Sequence, residues 1–486
     1  MLGTRYRLDS SWRRPTGRAG DGPGDGRVII AGSPLRLFRM SAGGAHVAAM
    51  LEAGEIPDTA SVHQLLDRFV EAGALHPSHP AGAFTPADVT VVIPAYGVMP
   101  ATLLVSLLPT DSPAPDSPAP ASPAPASCVA HVIVVDDASP TPLASHDHVM
   151  PSLRVTLLRH DTNRGPGAAR NTGLAAVTTP LVAFVDTDVT LTDGWLDALL
   201  PHFVDERVAL VAPQVQSAAG NGWVARYEQV HSPLDLGGEP ARIVAGTRVS
   251  YVPAATLVCR TGVLRDMGGF DEAMRLGEDV DLVWRLAAAG HRCRYEPGSV
   301  VTHQPRGSFP ALLRQRFGYG RSAAPLARRH PGALAPVRMS GWSAVVWLLL
   351  AIRRPFLALG VAVGTGIALQ RKLDDVPPRE AARLVGLGHL AAGRQFAQAT
   401  ARVWWPLAVL TAAFVRRARL PIAAAYLLPA AADAMRQRSV RPLADVPAAA
   451  TEQMAYGAGV WVGVLADRNA GPLLPEFTTW PRRGGD

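Results

Sequence analysis

The chain has 486 residues, 48% of them hydrophobic, which is too long for one small core and suggests two or three domains. Its net charge of +7 rests almost wholly on arginine, Lys372 being the only lysine, and that skew gives no ground for nucleic-acid binding. Cys128, Cys259 and Cys293 lack CxxC spacing and form no disulfide framework, which points to a reducing compartment.

Residues 1–26 are polar and rich in glycine and arginine, so they are expected to be disordered and carry no secretory h-region. Residues 27–82 change character. RVIIAG and LRLFRM predict a short strand pair around GSP, followed by helices in GAHVAAMLEAG and SVHQLLDRFVEAG, with Ser61 as N-cap and Gly73 as stop. A strand pair with small helices suits a winged-helix-like module; a helical leader packed on the main domain is the alternative.

From 88 to 330, apolar strand runs recur at VTVVIP, HVIVVDD, RVTLLRH, LVAFVD and VALVAP, separated in several places by helical stretches. That alternation predicts an α/β fold with a mostly parallel, doubly covered sheet. The Pro-Ala repeat at 111–127 is expected to be an extended polyproline-type loop without chemistry. Residues 331–486 are rich in Ala, Leu, Trp and Arg. The apolar run 355–369 would make roughly 22 Å of helix against the ~30 Å needed to span a bilayer. Neighbouring runs are shorter or broken by Arg353-Arg354 and Arg416-Arg417. Tryptophans beside arginines predict helices lying on an anionic membrane surface, with true spans or ordinary buried helices as alternatives.

Four pieces fall at carboxyl ends of the predicted strands: Pro94-Ala95-Tyr96, Asp136-Asp137, NRGPGAARNTG (163–173) and Asp186-Thr187-Asp188. Asp186 and Asp188, read as i and i+2 of a strand, would share a face and need a countercharge such as a cation carrying phosphates; a capping loop is the bland reading. Gly165-Pro166-Gly167 followed by Arg170 imitates a dinucleotide fingerprint, but Arg170 replaces the third glycine, Pro166 removes a donor and the motif sits on the third strand. Glu278, Asp279 and Asp281 open a further helix, where acids also favour the N-terminus for electrostatic reasons.

In combination, VTVVIPAYG, VIVVDDAS, NRGPGAARNTG, FVDTDV and LGEDVDLVWRL resemble the family 2, GT-A-type inverting glycosyltransferases over roughly 88–325. The resemblance implies that Pro94, Ala95, Tyr96 and Asp137 hold the uridine of a nucleotide-sugar donor, Asp137 accepting from the base. It implies Asn163 and Arg170 near the diphosphate, Asp186 on the ribose or metal, and Asp188 on Mg²⁺ or Mn²⁺. Asp279 is then expected as general base within the Glu278-Asp279 pair, with His303 as a third metal ligand or merely a surface or core histidine. Some processive members carry Gln-x-x-Arg-Trp; here Gln315 is followed by Arg316-Phe317-Gly318, so long-chain processivity is not expected.

Leader, core and C-terminal region together resemble the mycofactocin-system glycosyltransferases, a family that decorates a peptide-derived redox cofactor with β-1,4-linked glucose. This implies UDP-glucose as donor and a peptide-derived acceptor, while the C-terminal runs lead us to expect peripheral or shallowly embedded attachment at the cytoplasmic side of the membrane. The leader also resembles peptide-binding winged-helix modules such as the pyrroloquinoline-quinone peptide chaperone. A family 2 enzyme acting on a lipid-linked or cell-wall acceptor is the alternative. A nucleotidyltransferase would need a glycine-rich opening loop bearing Arg or Lys, which the chain lacks.

Overall fold

The computed structural model describes residues 4–15, 26–55, 59–108, 129–143, 153–436 and 442–478. The Pro-Ala repeat at 111–127 lies outside them. The chain divides into two compact units, one formed by 1–9, 32–34 and 66–306, the other by 10–31, 35–65 and 307–486.

The first unit is built on a nine-stranded sheet: β1 (Val89–Ala95), β2 (His131–Asp136), β3 (Val155–Arg159), β4 (Leu181–Val185), β5 (Val189–Leu191), β6 (Val208–Ser217), β7 (Ala241–Arg242), β8 (Thr256–Arg260) and β9 (Arg292–His303). Their order is β7-β9-β6-β8-β4-β1-β2-β3, with β5 added to β9. β1, β2, β3 and β4 pair in parallel, and β6 pairs in parallel with β9. β8 runs antiparallel between β4 and β6, while β5 and β7 run against β9. The sheet is therefore mixed. β8, whose TLVCR is too short to stand out, was not among the expected strands.

The apolar runs form strands because both faces are covered: all of Leu181–Val185 and all of Val89–Ile93 are buried. Helix α1 (Pro166–Ala176) starts after Gly165, whose φ of +95° favours glycine, and uses Pro166 at its first turn. A Cβ on Gly173 would lie 2.3 Å from Val92 Cγ1, so glycine lets α1 close onto β1. Helix α2 (Glu278–Ala288) follows a left-handed Gly277 and buries Leu282, Val283, Trp284 and Leu286.

The expected N-terminal disorder is corrected for residues 4–15. Arg5–Leu8 pairs antiparallel with Leu75–Ser78, and buried Asp9 joins His76 at 2.9 Å and Arg248 at 2.9 Å. RYRL has no apolar period to announce a strand; its main-chain hydrogen bonds make one. The hairpin Val28–Ala31/Arg36–Arg39 and helices Ala42–Glu52 and Ala60–Glu71 form as expected, although Ser61 lies inside the second helix.

These leader elements are divided between the two units. In the first unit Asp67 and Glu71 bond Arg292 at 3.0 and 2.8 Å; in the second, Val28 and Ile30 pack with Val376. The second unit also starts at 307, earlier than the expected 331. Its helix α3 (Phe309–Arg321) packs on α9 (Pro442–Asp467) with buried Arg316 on Glu452, and a Cβ on Gly320 would lie 2.0 Å from the Tyr456 carbonyl oxygen. Between them lie α4 (Gly341–Ala351), α5 (Pro355–Lys372), α6 (Pro378–Arg402), α7 (Trp405–Phe414) and α8 (Arg419–Arg436). Among the described residues no helix is long and apolar enough to cross a membrane.

Candidate active site

The carboxyl ends of β1, β2 and β4 carry the expected residues. Ala95 is buried as the last residue of β1, and its carbonyl accepts from the Asp137 N–H at 2.9 Å. Pro94 is partly buried before it, and Tyr96 leaves the ladder with its side chain 58% exposed. The neighbouring Gly97 N–H donates to Ser139 Oγ at 2.7 Å, which fixes the turn below the tyrosine.

Asp137 braces the turn that follows β3. Its buried Oδ1 accepts from the Arg164 N–H at 2.8 Å and lies 2.7 Å from His160 Nδ1, while Oδ2 accepts from the Gly165 N–H at 2.8 Å. The carboxylate thereby clamps the glycine-rich turn. His160 reaches on to Thr172 Oγ1 at 2.8 Å and so ties the clamp to α1. Exposed Asn163 donates to the Asp137 carbonyl at 3.2 Å and accepts from Arg275 Nη1 at 2.7 Å.

Arg170 lies within α1. Only 3% exposed, it donates from Nη1 to Glu278 Oε1 and from Nη2 to Asp186 Oδ1, both at 2.7 Å. Its guanidinium lies 5.3 Å from the Phe270 ring centroid. A buried cation between two carboxylates is held by them, and removing either partner would leave an uncompensated charge. The paired acids drive its pKa upward despite burial.

Asp186 and Asp188 do not extend a strand; β4 ends at Val185, and the turn into β5 sends the carboxylates to different partners. Asp186 goes to Arg170. Asp188 Oδ2 lies 3.0 Å from His303 Nε2, with Arg306 Nη1 at 3.7 Å. The β5–β9 ladder makes this meeting, pairing His303 with Val189, and the Gln304 N–H donates to the Asp188 carbonyl at 2.9 Å. Burial raises the Asp188 pKa, but the His303 hydrogen bond and the Arg306 charge outweigh it and hold the group low, hence ionised.

At the start of α2, burial and the Asp279 charge push Glu278 up to about 7. Asp279 is also raised, chiefly by burial. It accepts from the Ala254 N–H at 3.1 Å and the Val280 N–H at 2.8 Å. Ala255, next in the chain, accepts from the Asp186 N–H at 3.0 Å, so one short segment positions both acids. Asp281 is turned away: fully buried, it receives Arg285 Nε at 2.7 Å.

Among the described residues, no three His, Cys, Asp or Glu side chains cluster as a closed metal cage. Asp188 and His303 nevertheless pair a carboxylate with an imidazole nitrogen, a donor set that would suit a divalent cation such as Mn²⁺. Asp186, with Oδ1 given to Arg170, belongs to the acid–arginine bridge. Two features escaped sequence reasoning: the Arg170 bridge to Glu278, and Arg306, whose N–H is bonded by Glu228 beside Asp188. Both join residues about eighty or more positions apart, and no local pattern signals them.

Residues 127–264 match the glycosyl transferase family 2 model. A pre-mycofactocin glycosyltransferase of Mycobacterium tuberculosis is 40% identical over 475 residues, covering 94% of this chain and 96% of its own. Succinoglycan biosynthesis protein ExoO of Rhizobium meliloti is 28% identical over 193 residues, 38% of this chain and 55% of its own. Among solved structures, the mannosyltransferase PcManGT of Pyrobaculum calidifontis is similar at 19% identity and a TM-score of 0.35, covering 67% of this chain and 85% of that one.

Proposed function

The chain belongs to the pre-mycofactocin glycosyltransferases of glycosyltransferase family 2, and from that premise we propose that it moves a hexose from a nucleotide-diphosphate sugar onto the peptide-derived precursor of that redox cofactor. Glucose, donated by UDP-glucose and joined in β-1,4 linkage, is the sugar we assign. The observation that supports this reading best is the Asp186–Arg170–Glu278 bridge beside Asp279, with Asp188 and His303 on the same sheet's carboxyl edge.

The reaction is a single displacement. An acceptor hydroxyl gives its proton to Asp279, its oxygen forms a bond to the anomeric carbon, and the bond from that carbon to the nucleoside diphosphate breaks. Inversion follows because attack and departure are on opposite faces. Asp279 suits the base because burial raises its proton affinity while two backbone N–H groups fix its orientation. Arg170 keeps Glu278 and Asp186 in place around it. Tyr96 offers an exposed ring at the sheet edge for the donor base. Asp188 and His303 would hold a divalent cation, which when bound supplies charge neutralisation to the diphosphate.

The test is incubation of the protein with a panel of nucleotide sugars and with the peptide-derived precursor, read by mass. A hexose added to that precursor from UDP-glucose is expected. Transfer only to a lipid-linked or cell-wall acceptor would replace the acceptor assignment, and transfer only from another nucleotide sugar would replace the donor.

A further inference from the structure

The helices of the second unit leave an unusual amount of large apolar surface uncovered. Phe356 is 87% exposed at the second position of α5, and Phe414 is 85% exposed at the last position of α7. Each adjoins an exposed arginine pair: Arg353-Arg354 precedes Phe356, and Arg416-Arg417 follows Phe414. Trp342, Leu348, Leu359 and Leu410 are also more than half exposed on α4, α5 and α7. Phenylalanine exposed beside paired arginines at a helix end suits a surface that is apolar and charged at once.

Charge identifies the partner. Residues 341–373 contain four basic residues and no acid, and residues 381–432 contain six and no acid. A surface of this composition repels a second copy of itself, since like charges would be opposed. It complements an anionic bilayer, where phenylalanine enters the acyl boundary and arginine meets lipid phosphate. No described helix is long and apolar enough to span, so attachment is at the interface.

We propose that the α4–α5 and α7–α8 turns are a two-point membrane anchor, Phe356 and Phe414 entering the headgroup region of an anionic leaflet while Arg353, Arg354, Arg416 and Arg417 bind lipid phosphates. The anchor stands independently of which sugar or acceptor the enzyme uses.

The full-length protein would be sedimented with phosphatidylcholine vesicles made with and without phosphatidylglycerol, at low and high salt. Binding to the anionic vesicles, weakened by salt, is expected. Phe356→Ser with Phe414→Ser, and separately Gln at the four arginines, are each expected to lower partitioning roughly a hundredfold. Circular dichroism and thermal melting of both variants show whether the fold survives. Sedimentation velocity without lipid reports self-association. The proposal is overturned if folded variants bind as well as the parent protein, if vesicles without phosphatidylglycerol bind equally, or if self-association masks these side chains.

Discussion

At the carboxyl edge of the sheet, Arg170 is buried and gives both terminal nitrogens to carboxylates; on the C-terminal helices, Arg353, Arg354, Arg416 and Arg417 face solvent in stretches without acids. The same side chain does two jobs. Within the first unit, protein partners fix its direction, and desolvation makes each hydrogen bond costly to lose. On the helices the guanidinium stays hydrated and adaptable, which suits a partner with many equivalent phosphates. Position in an acid-containing or acid-free neighbourhood, rather than arginine content, separates an internal brace from an external contact.

The strongest way to break this contrast is at the acids. Asp279→Asn is nearly isosteric but cannot take a proton, so glycosyl transfer is expected to fall by about 10²–10⁴ while calorimetric donor binding persists. Asp188→Ala is expected to do the reverse in binding, removing the Mn²⁺-dependent increment of nucleotide-diphosphate affinity. If Asp279→Asn kept near-normal transfer, Glu278 would inherit the role, because Asp281 is buried on Arg285.

Removing the brace comes next. Arg170→Met strands Glu278 and Asp186, and a chemical melt is expected to show a loss of about 3–5 kcal/mol. Arg353→Gln, by contrast, is expected to leave the melt unchanged, since the side chain is exposed. Equal losses from the two substitutions would erase the distinction. A smaller effect is expected from Gly173→Ala, whose Cβ meets Val92 Cγ1 at 2.3 Å; overpacking of this kind costs about 1–3 kcal/mol.

The finest test uses pH. Glu278 rises from 4.5 to about 7 on folding, so between those values the folded chain holds a proton that the unfolded chain has released. Its contribution to stability therefore falls as pH climbs through that window and is level above it. Melting temperatures of the parent protein and Glu278→Gln, compared across the window, are expected to diverge with that sign; parallel curves would show that Glu278 titrates normally.

Much of the first unit was legible because buried parallel strands write themselves as β-branched runs, and a charged residue after such a run stands out. VTVVIPA, HVIVVD and LVAFV became β1, β2 and β4. The partners of the charges were not legible. Arg170 and Glu278 are 108 residues apart, Asp188 and His303 meet only through the β5–β9 ladder, and a strand period was wrongly continued through Asp186. RYRL forms a strand from main-chain pairing, which leaves little mark on side-chain pattern. For the C-terminal helices the apolar runs were visible, but which residues face outward depends on how α4 to α9 pack.

The Asp137 clamp has a consequence for the kinetics of donor exchange. Arg164 and Gly165 are fastened to that carboxylate, and His160 joins it to α1. Fixing a backbone residue costs about 1–2 kcal/mol, and here the cost falls at folding, not at encounter. On the proposed function, a nucleotide sugar reaching this turn would meet a backbone already held in place. Association is then expected to be limited by diffusion and charge steering rather than by loop closure, and loosening the turn through Asp137→Ala would convert a rapid, single-phase approach into one that waits for the chain to settle.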